Sequence, residues 1–533
     1  MTLRSPAGST RLRGRWDLLL ALAVAAQVLF LLVLPRVVTG DGPAHVDGAW
    51  VLLHLGDAGA ERLRELYRVD WAPVPNAMST YLLAVLMTVL GPDVSERVLV
   101  VGYAVALPLS LRYALRGVHP EAGWLAVAAV PFVTSYLYFY GFYDFCLGLV
   151  VSLVVVGFVL RRSGGWTARA AVGLALLLVL TWYCHLLPTI VACLFVSVSG
   201  IVGVLAARRD GASWRPAVVR HLVPPALAGV PVLALTADFA VRTSGDRGAP
   251  VHKPWWDLLL GMVTLAKPLV VYSPYEYLPS AVVAAVLVLL AVRRPHVRRP
   301  ALAVTGLLVL LWYALSPDRY GPAFGFLNDR ISFFPPLLLL LWAAGPPPAT
   351  RLRLVVPAGL LGAAVALTAF RLPTELAYQR DVAEYLSVAP AVPRGSTLLS
   401  LRFWRDGPAG PEVRNQFRDP LRHESSRLAQ RVGGVDVGHY EAALSYFPVR
   451  FQPATDPRRL VDPTLAGLDQ VPPAVDVAAG VPAVDVVLVV GRDRADPAVT
   501  AGPAARATLD VVESRYRLVA VSPTRLVEVW QRR

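Results

Sequence analysis

The sequence predicts a polytopic α-helical membrane protein with a C-terminal α/β domain, and three observations carry that expectation. Of 533 residues, 55% are hydrophobic and only 17% charged, where a soluble globular chain would carry about 25% charged residues. Apolar runs of helix-spanning length recur from Trp16 to Arg371. Beyond Arg371 the composition turns to Pro, Asp and Arg, and no run is long enough to span.

The formal charge is +14, and Lys253 and Lys267 are the only lysines. The arginines cluster in short loops between apolar runs, which is how a membrane protein sets its orientation. No nucleic-acid motif accompanies them. The three cysteines, Cys146, Cys184 and Cys193, all lie in or beside apolar runs. The C-terminal part therefore has neither a disulfide framework nor a Cys-rich metal site. Arg4, Arg11, Arg13 and Arg15 precede the first run as they would a signal peptide, but Leu18 to Leu34 is long for one and no Ala-x-Ala site follows. It is expected to stay as a first transmembrane helix.

Placing the arginines inside yields about eleven spans. Helix 1, about Trp16 to Pro35, leaves the cytoplasm, and an outer loop, 36–96, follows. Within that loop Asn76 to Leu90 is apolar but short, and reads as an interfacial or re-entrant helix. Spans are then expected near Arg97–Leu115, Gly123–Tyr138, from Asp144 to Arg161, Ala170–Tyr183, Pro188–Ala207 and Leu222–Ala240. A second outer loop, Arg242 to Glu276, carries Arg247, Lys253 and Trp255-Trp256. Helix 8 returns to Arg293, Arg294, Arg298 and Arg299. Helix 9, Ala301–Leu315, exits to Asp318-Arg319 and Asn328-Asp329-Arg330, helix 10 returns to Arg351, and helix 11, Leu354–Phe370, exits. Residues 1–371 thus read as a transmembrane domain and 372–533 as an extracytoplasmic α/β domain. In the latter, Thr397–Phe403, Val484–Val490 and Leu518–Val529 read as strands, and Ala377–Ala389 and Ala501–Arg515 as helices.

One stretch organises the rest: Thr39-Gly40-Asp41-Gly42-Pro43-Ala44-His45-Val46-Asp47. Asp41 reads as an N-cap with Pro43 in the first helical turn, and His45, four residues on, shares its face. A carboxylate and an imidazole at a membrane boundary suit acid–base or metal chemistry. A capping Asp beside a surface His fits the same nine residues. With the arginines inside, Asp41, His45, Asp47, Asp144, His185, Asp329 and Arg330 all fall on the outer side. Ionisable groups near helix ends in a bilayer are costly and usually functional or paired.

Each of these has a structural alternative. Asp144 follows the aromatic run Tyr136 to Tyr143 and fits a hydrated interfacial belt. His185 precedes Pro188 at a helix break and fits a hydrogen-bonded structural role. Asp329 and Arg330 fit a salt-bridged helix start, or Arg330 faces a phosphate. Trp255-Trp256 beside Lys253 fit lipid headgroups first and a stacked sugar second, and Arg319 is a weaker candidate of the same kind. His423-Glu424 and His439-Tyr440-Glu441 lack metal spacing and default to a solvated surface.

An N-terminal helix, a long outer loop opening with an acidic motif, an amphipathic segment ending Gly91-Pro92, an Arg-terminated helix and a C-terminal α/β domain together resemble the GT-C superfamily of membrane glycosyltransferases. The chain is also similar to uncharacterised bacterial membrane proteins with an Asp-Gly-Pro-Ala-His stretch. The resemblance implies a GT-C-like fold in the bacterial cytoplasmic membrane, with a cytoplasmic N-terminus. It implies sugar transfer from a polyprenyl-phosphate-linked donor to a glycan, lipid or protein acceptor at the outer face. Asp41 is then the catalytic base, and His45, Asp47, Asp144, His185, Lys253, Arg319, Asp329 and Arg330 surround the substrates. The loop lacks the family's usual acidic pair, so a divalent ion (Mg or Mn), if used, falls to Asp41 and His45. A lipid or polysaccharide transporter would place ionisable groups deep within helices. A membrane-anchored binding or assembly protein would act through residues 372–533.

Overall fold

The computed structural model describes residues 8–162, 165–246, 248–293, 299–321, 324–348, 351–403, 421–457, 483–495 and 500–533. Arg4, Arg247, Arg294 and Arg298 lie outside the described residues. The chain divides into two compact units. A helical unit holds Met1–Val33, Val100–Tyr138 and Tyr143–Arg371. A mixed unit holds Leu34–Leu99, Phe139–Phe142 and Leu372–Arg533.

Among the described residues eight helical stretches are long and apolar enough to cross a membrane, from Gly14–Val33 to Leu352–Ala391. Three expected spans are shorter: Ala168–Cys184 has 17 residues, Pro300–Leu315 has 16 and Phe334–Ala343 has 10. At about 1.5 Å per residue the first two reach roughly 25 Å, slightly less than a bilayer core. Met78–Met87, with 10 residues, reaches about half of that core, as the non-crossing expectation for Asn76–Leu90 requires.

The third expected span is not one helix. It comprises a 3-10 segment, Ala122–Ala129, a single turn, Val130–Val133, and a further turn, Tyr136–Tyr140. Pro131 removes a donor, and the Thr134 carbonyl that would continue the ladder accepts instead from the guanidinium of Arg371. The aromatic run that follows is buried in protein from Tyr136 to Tyr140 rather than forming a hydrated belt. The tenth span is likewise broken into Leu327–Ile331 and Phe334–Ala343, the second begun by Pro335 and Pro336. Proline is tolerated at a helix start because the missing N–H has no partner there.

Arg371 and Glu276, both fully buried, tie the helical unit together. Arg371 Nε donates to Glu276 Oε2 at 2.8 Å, and its other nitrogens reach Thr134 and the Leu269 carbonyl. Glu276 also accepts from the backbone N–H groups of Val271, Tyr272 and Ser273. The segment Leu269 to Tyr272 is therefore buried. The final apolar helix runs unbroken from Leu352 to Ser387, so the helix expected over Ala377–Ala389 is largely its continuation.

The mixed unit contains a five-stranded sheet in the order Val435–Asp436, Thr397–Arg402, Val486–Val490, Val527–Arg532, Tyr516–Val521. The first two pairings are parallel and the last two antiparallel. Val486–Val490 is buried along its whole length, which explains its unbroken aliphatic sequence. The run Leu518–Val529 is two strands, not one, because Ser522 to Leu526 turns the chain with Arg525 at φ +60. Helix Pro503–Arg515 matches the expected Ala501–Arg515. Val51, in helix Gly42–His54, and Leu63 and Leu66, in helix Glu61–Leu66, share one core with Leu401, Val487 and Val512.

Candidate functional site

Asp41 stands at the N-cap position of helix Gly42–His54, with Pro43 in the first turn as expected. Its carboxylate makes no capping hydrogen bond. The chain entry is held by backbone instead: Gly40 N donates to Phe139 O at 3.0 Å and Asp41 N to Tyr140 O at 2.8 Å. This close approach is why glycines stand on both sides. A Cβ at Gly40 would lie 2.9 Å from Tyr140 O, and one at Gly141, where φ is +90, only 2.7 Å from the N atoms of Asp41 and Gly42. Gly141→Ala is expected to displace the Asp41 entry and cost about 1–3 kcal/mol, measured by denaturation in detergent micelles. A stability equal to wild type would show that this clamp does not hold Asp41.

Released from capping, the Asp41 carboxylate faces residues from the other end of the chain. His423 Nε2 lies 3.6 Å from Asp41 Oδ1 and has no hydrogen-bond partner among the described residues. Tyr440 places its hydroxyl within hydrogen-bonding range of Asp41, and its ring lies 4.6 Å from that of His423. Arg422, whose Nη1 donates to Tyr140 Oη at 3.2 Å, contributes positive charge. Asp41 is buried, and burial raises its pKa to about 6; the charges of Arg422 and His45 and the Tyr440 hydroxyl oppose the rise. Burial holds His423 neutral, pushing its pKa well below the ordinary range, and Arg422 adds to that.

One turn along the helix a second layer forms. His45 Nδ1 lies 2.6 Å from Glu441 Oε1, and His439 Nε2 lies 3.7 Å from Asp47 Oδ2. Burial, then Asp436 and Glu441, push the pKa of Asp47 well above the ordinary carboxylate range. Asp436 is satisfied by Ser425, Ser426 and Gly438 N. Asp41, His45 and Asp47 are thus brought together in the mixed unit, in the company of His423, His439, Tyr440 and Glu441.

His423-Glu424 and His439-Tyr440-Glu441, expected at a solvated surface, have buried histidines and glutamates. The correction has a physical cause: helix Glu424–Val432 packs against helix Gly42–His54, and Arg427 donates to Glu96 Oε2 at 2.9 Å. The signal was faint in the sequence. Two of nine histidines fall within 17 residues, each followed within two positions by a glutamate.

The remaining candidates belong to the helical unit. Asp144 is buried in the first turn of Tyr143–Leu160. His185 caps helix Leu186–Arg209, its Nδ1 accepting from Leu187 N at 3.0 Å, with the edge of Phe145 against its ring. Arg330 lies within electrostatic reach of His185 and Cys146, and donates to Gly325 O. Lys253 Nζ bridges Asp318 at 2.9 Å and Asp329 at 2.6 Å, with Lys267 3.6 Å from Asp329. Burial opposes the charge of Lys253, but the two aspartates hold its pKa above the ordinary range. Its charge is therefore already matched. Arg319 lies exposed in a short strand paired with Val251. Trp255 and Trp256 are stacked and exposed.

His45 Nδ1 is engaged by Glu441, and among the described residues no group of three or more His, Cys, Asp or Glu is placed to hold a metal.

No family profile and no curated protein sequence matches the chain. Solved structures do. Arabinofuranosyltransferase AftD from Mycobacteria aligns with TM-score 0.46 and 15% identity over 96% of this chain, which spans only 39% of AftD. ArnT from Cupriavidus metallidurans in the apo state aligns with TM-score 0.51 and 13% identity, over 97% of this chain and 98% of ArnT. The likeness is one of architecture: the chain has an ArnT-like fold, multi-pass and helical, with a C-terminal sheet domain.

Proposed function

We propose that this chain is a membrane glycosyltransferase that moves a sugar from a polyprenyl-phosphate-linked donor to a glycan, lipid or protein acceptor. The setting in this reading is the outer face of the bacterial cytoplasmic membrane. The observation that carries the proposal is the carboxylate of Asp41, buried at a helix start yet not used as its cap, with a pKa near 6. A base of that pKa is mostly ionised at neutral pH and still able to hold a proton, which suits general-base work.

In the proposed step Asp41 takes the proton of an acceptor hydroxyl as that oxygen bonds to the anomeric carbon. The bond between the anomeric carbon and the phosphate oxygen breaks, and its electron pair leaves with the lipid phosphate. The Tyr440 hydroxyl, within hydrogen-bonding range, holds the carboxylate in place, and neutral His423 faces it with Nε2 3.6 Å away. Of the cations expected to meet the charge of a leaving phosphate, Lys253 is already neutralised by Asp318 and Asp329.

The test is mass spectrometry of envelope glycans and lipid-linked sugars in a deletion strain rescued with wild type or Asp41→Ala. A missing sugar, with its lipid-linked donor accumulated and only wild type restoring it, is the expected result. An unchanged glycome, or full rescue by Asp41→Ala, would overturn the transferase reading.

A further inference from the structure

At the opposite end of helix Gly42–His54 from Asp41, the mixed unit has an open cavity of about 450 Å³. Leu52, Leu55 and Trp71 give it an apolar wall, and Arg64, Arg68 and Gln452 a polar one. Trp71 is 75% exposed although a tryptophan gains most by burial. It makes no aromatic stack among the described residues.

The two arginines differ in their partners. Arg64 is committed: it donates to the carbonyls of Leu55 and Asp57 and to Glu61. Arg68 has no ion pair among the described residues, and its buried Nε has no hydrogen-bond partner there. Across the strand pair Tyr67–Val69 and Val449–Phe451, Arg68 stands directly opposite Arg450. Like charges so placed repel. Asp70, 3.5 Å from Arg450, answers one of them and leaves Arg68 uncompensated. An exposed indole beside aliphatic surface and one unmatched guanidinium is complementary to a sugar ring that carries an anionic group.

We propose that this cavity binds an anionic saccharide, its ring against Trp71 and its carboxylate or phosphate on Arg68. The cavity lies roughly 15–20 Å from Asp41 along the helix axis. The bound unit would therefore be remote from the reacting end of a chain. That last connection rests on the transferase reading; the binding itself does not.

The full-length protein in detergent can be titrated calorimetrically with tetragalacturonate, glucose 6-phosphate and neutral maltotetraose. Wild type and Asp41→Asn are expected to bind an acidic saccharide alike and maltotetraose at least about tenfold more weakly. Arg68→Gln and Trp71→Ala should each weaken binding about tenfold or more, and Trp71→Phe should preserve it. Gly56 supplies a control for folding, since nothing stands within 4 Å of a Cβ built there. Gly56→Phe is therefore expected to fill the cavity and abolish binding without disturbing the unit. Which acidic probe binds tells carboxylate from phosphate. No binding of either acidic probe, undiminished binding by Gly56→Phe or Arg68→Gln, or displacement of the saccharide by phosphatidylglycerol nanodiscs would overturn the proposal. Loss of transfer in Asp41→Asn with intact saccharide binding would separate this site from the chemistry.

Discussion

Asp41→Asn is expected to reduce transfer about 10²- to 10⁴-fold, the usual contribution of a positioned general base, while the protein folds and inserts normally. Folding should survive because the Asp41 side chain makes no cap and its backbone, which holds the clamp to Tyr140, is unchanged. The amide also removes a buried carboxylate whose ionisation the fold opposes. Burial raises the Asp41 pKa from 3.8 to about 6, so the folded state binds a proton more tightly than the unfolded chain. Its contribution therefore favours folding most at low pH and declines as pH rises from about 4 to about 6. Activity runs the opposite way, because the base must be ionised. The wild-type rate should fall about tenfold per pH unit below pH 6. A donor and acceptor assay across pH 4.5–8, on the order of the range His and raised carboxylates cover, checks both. A flat acidic limb, or a fully active Asp41→Asn, would remove Asp41 from the role of base.

The largest effect on stability is expected at Arg371, not at the site. Arg371→Ala leaves Glu276 as a fully buried carboxylate whose only charged partner in the described ion pairs is gone. Breaking a buried pair from one side costs about 3–5 kcal/mol. Removing both partners should not restore wild-type stability here. Glu276 also satisfies the N–H groups of Val271, Tyr272 and Ser273, and Arg371 serves the Thr134 and Leu269 carbonyls. A double Glu276→Leu/Arg371→Leu variant thus orphans backbone groups that an apolar side chain cannot reach. Thermal unfolding in detergent would decide the matter. A double variant as stable as wild type would show that the backbone groups find other partners.

How far the sequence carried can be traced residue by residue. Long apolar runs and arginine-ended loops identified the helical membrane protein, because hydrocarbon demands internally bonded backbone and sequence hydropathy reports that directly. Asp41 was legible as a helix start from Asp-Gly-Pro. That its carboxylate would turn away from the cap was not, because the partners that draw it, His423 and Tyr440, are almost 400 residues distant and lie in a stretch without periodicity or metal spacing. Local pattern cannot report a pairing of that separation. The third span was legible as a crossing, Ala122–Tyr140, but its breaks were not: Pro131 was visible, and the Arg371 guanidinium that takes the Thr134 carbonyl was not. Lys253 looked like a free cation beside two tryptophans, and only tertiary structure brings Asp318 and Asp329 to it.

The loop that opens with Asp41 is made early in synthesis, and the histidines that complete its surroundings are made late. Between Asp41 and His423 a ribosome adding 5–20 residues per second needs roughly 20–80 s. During that interval the carboxylate has neither His423 nor Tyr440 beside it, and helix Gly42–His54 lacks helix Glu424–Val432 to pack on. An unfinished or truncated chain can therefore insert its helices and still present an unassembled, ordinary surface aspartate. Completion of the last third of the chain is the step that turns that aspartate into a buried carboxylate with a raised pKa.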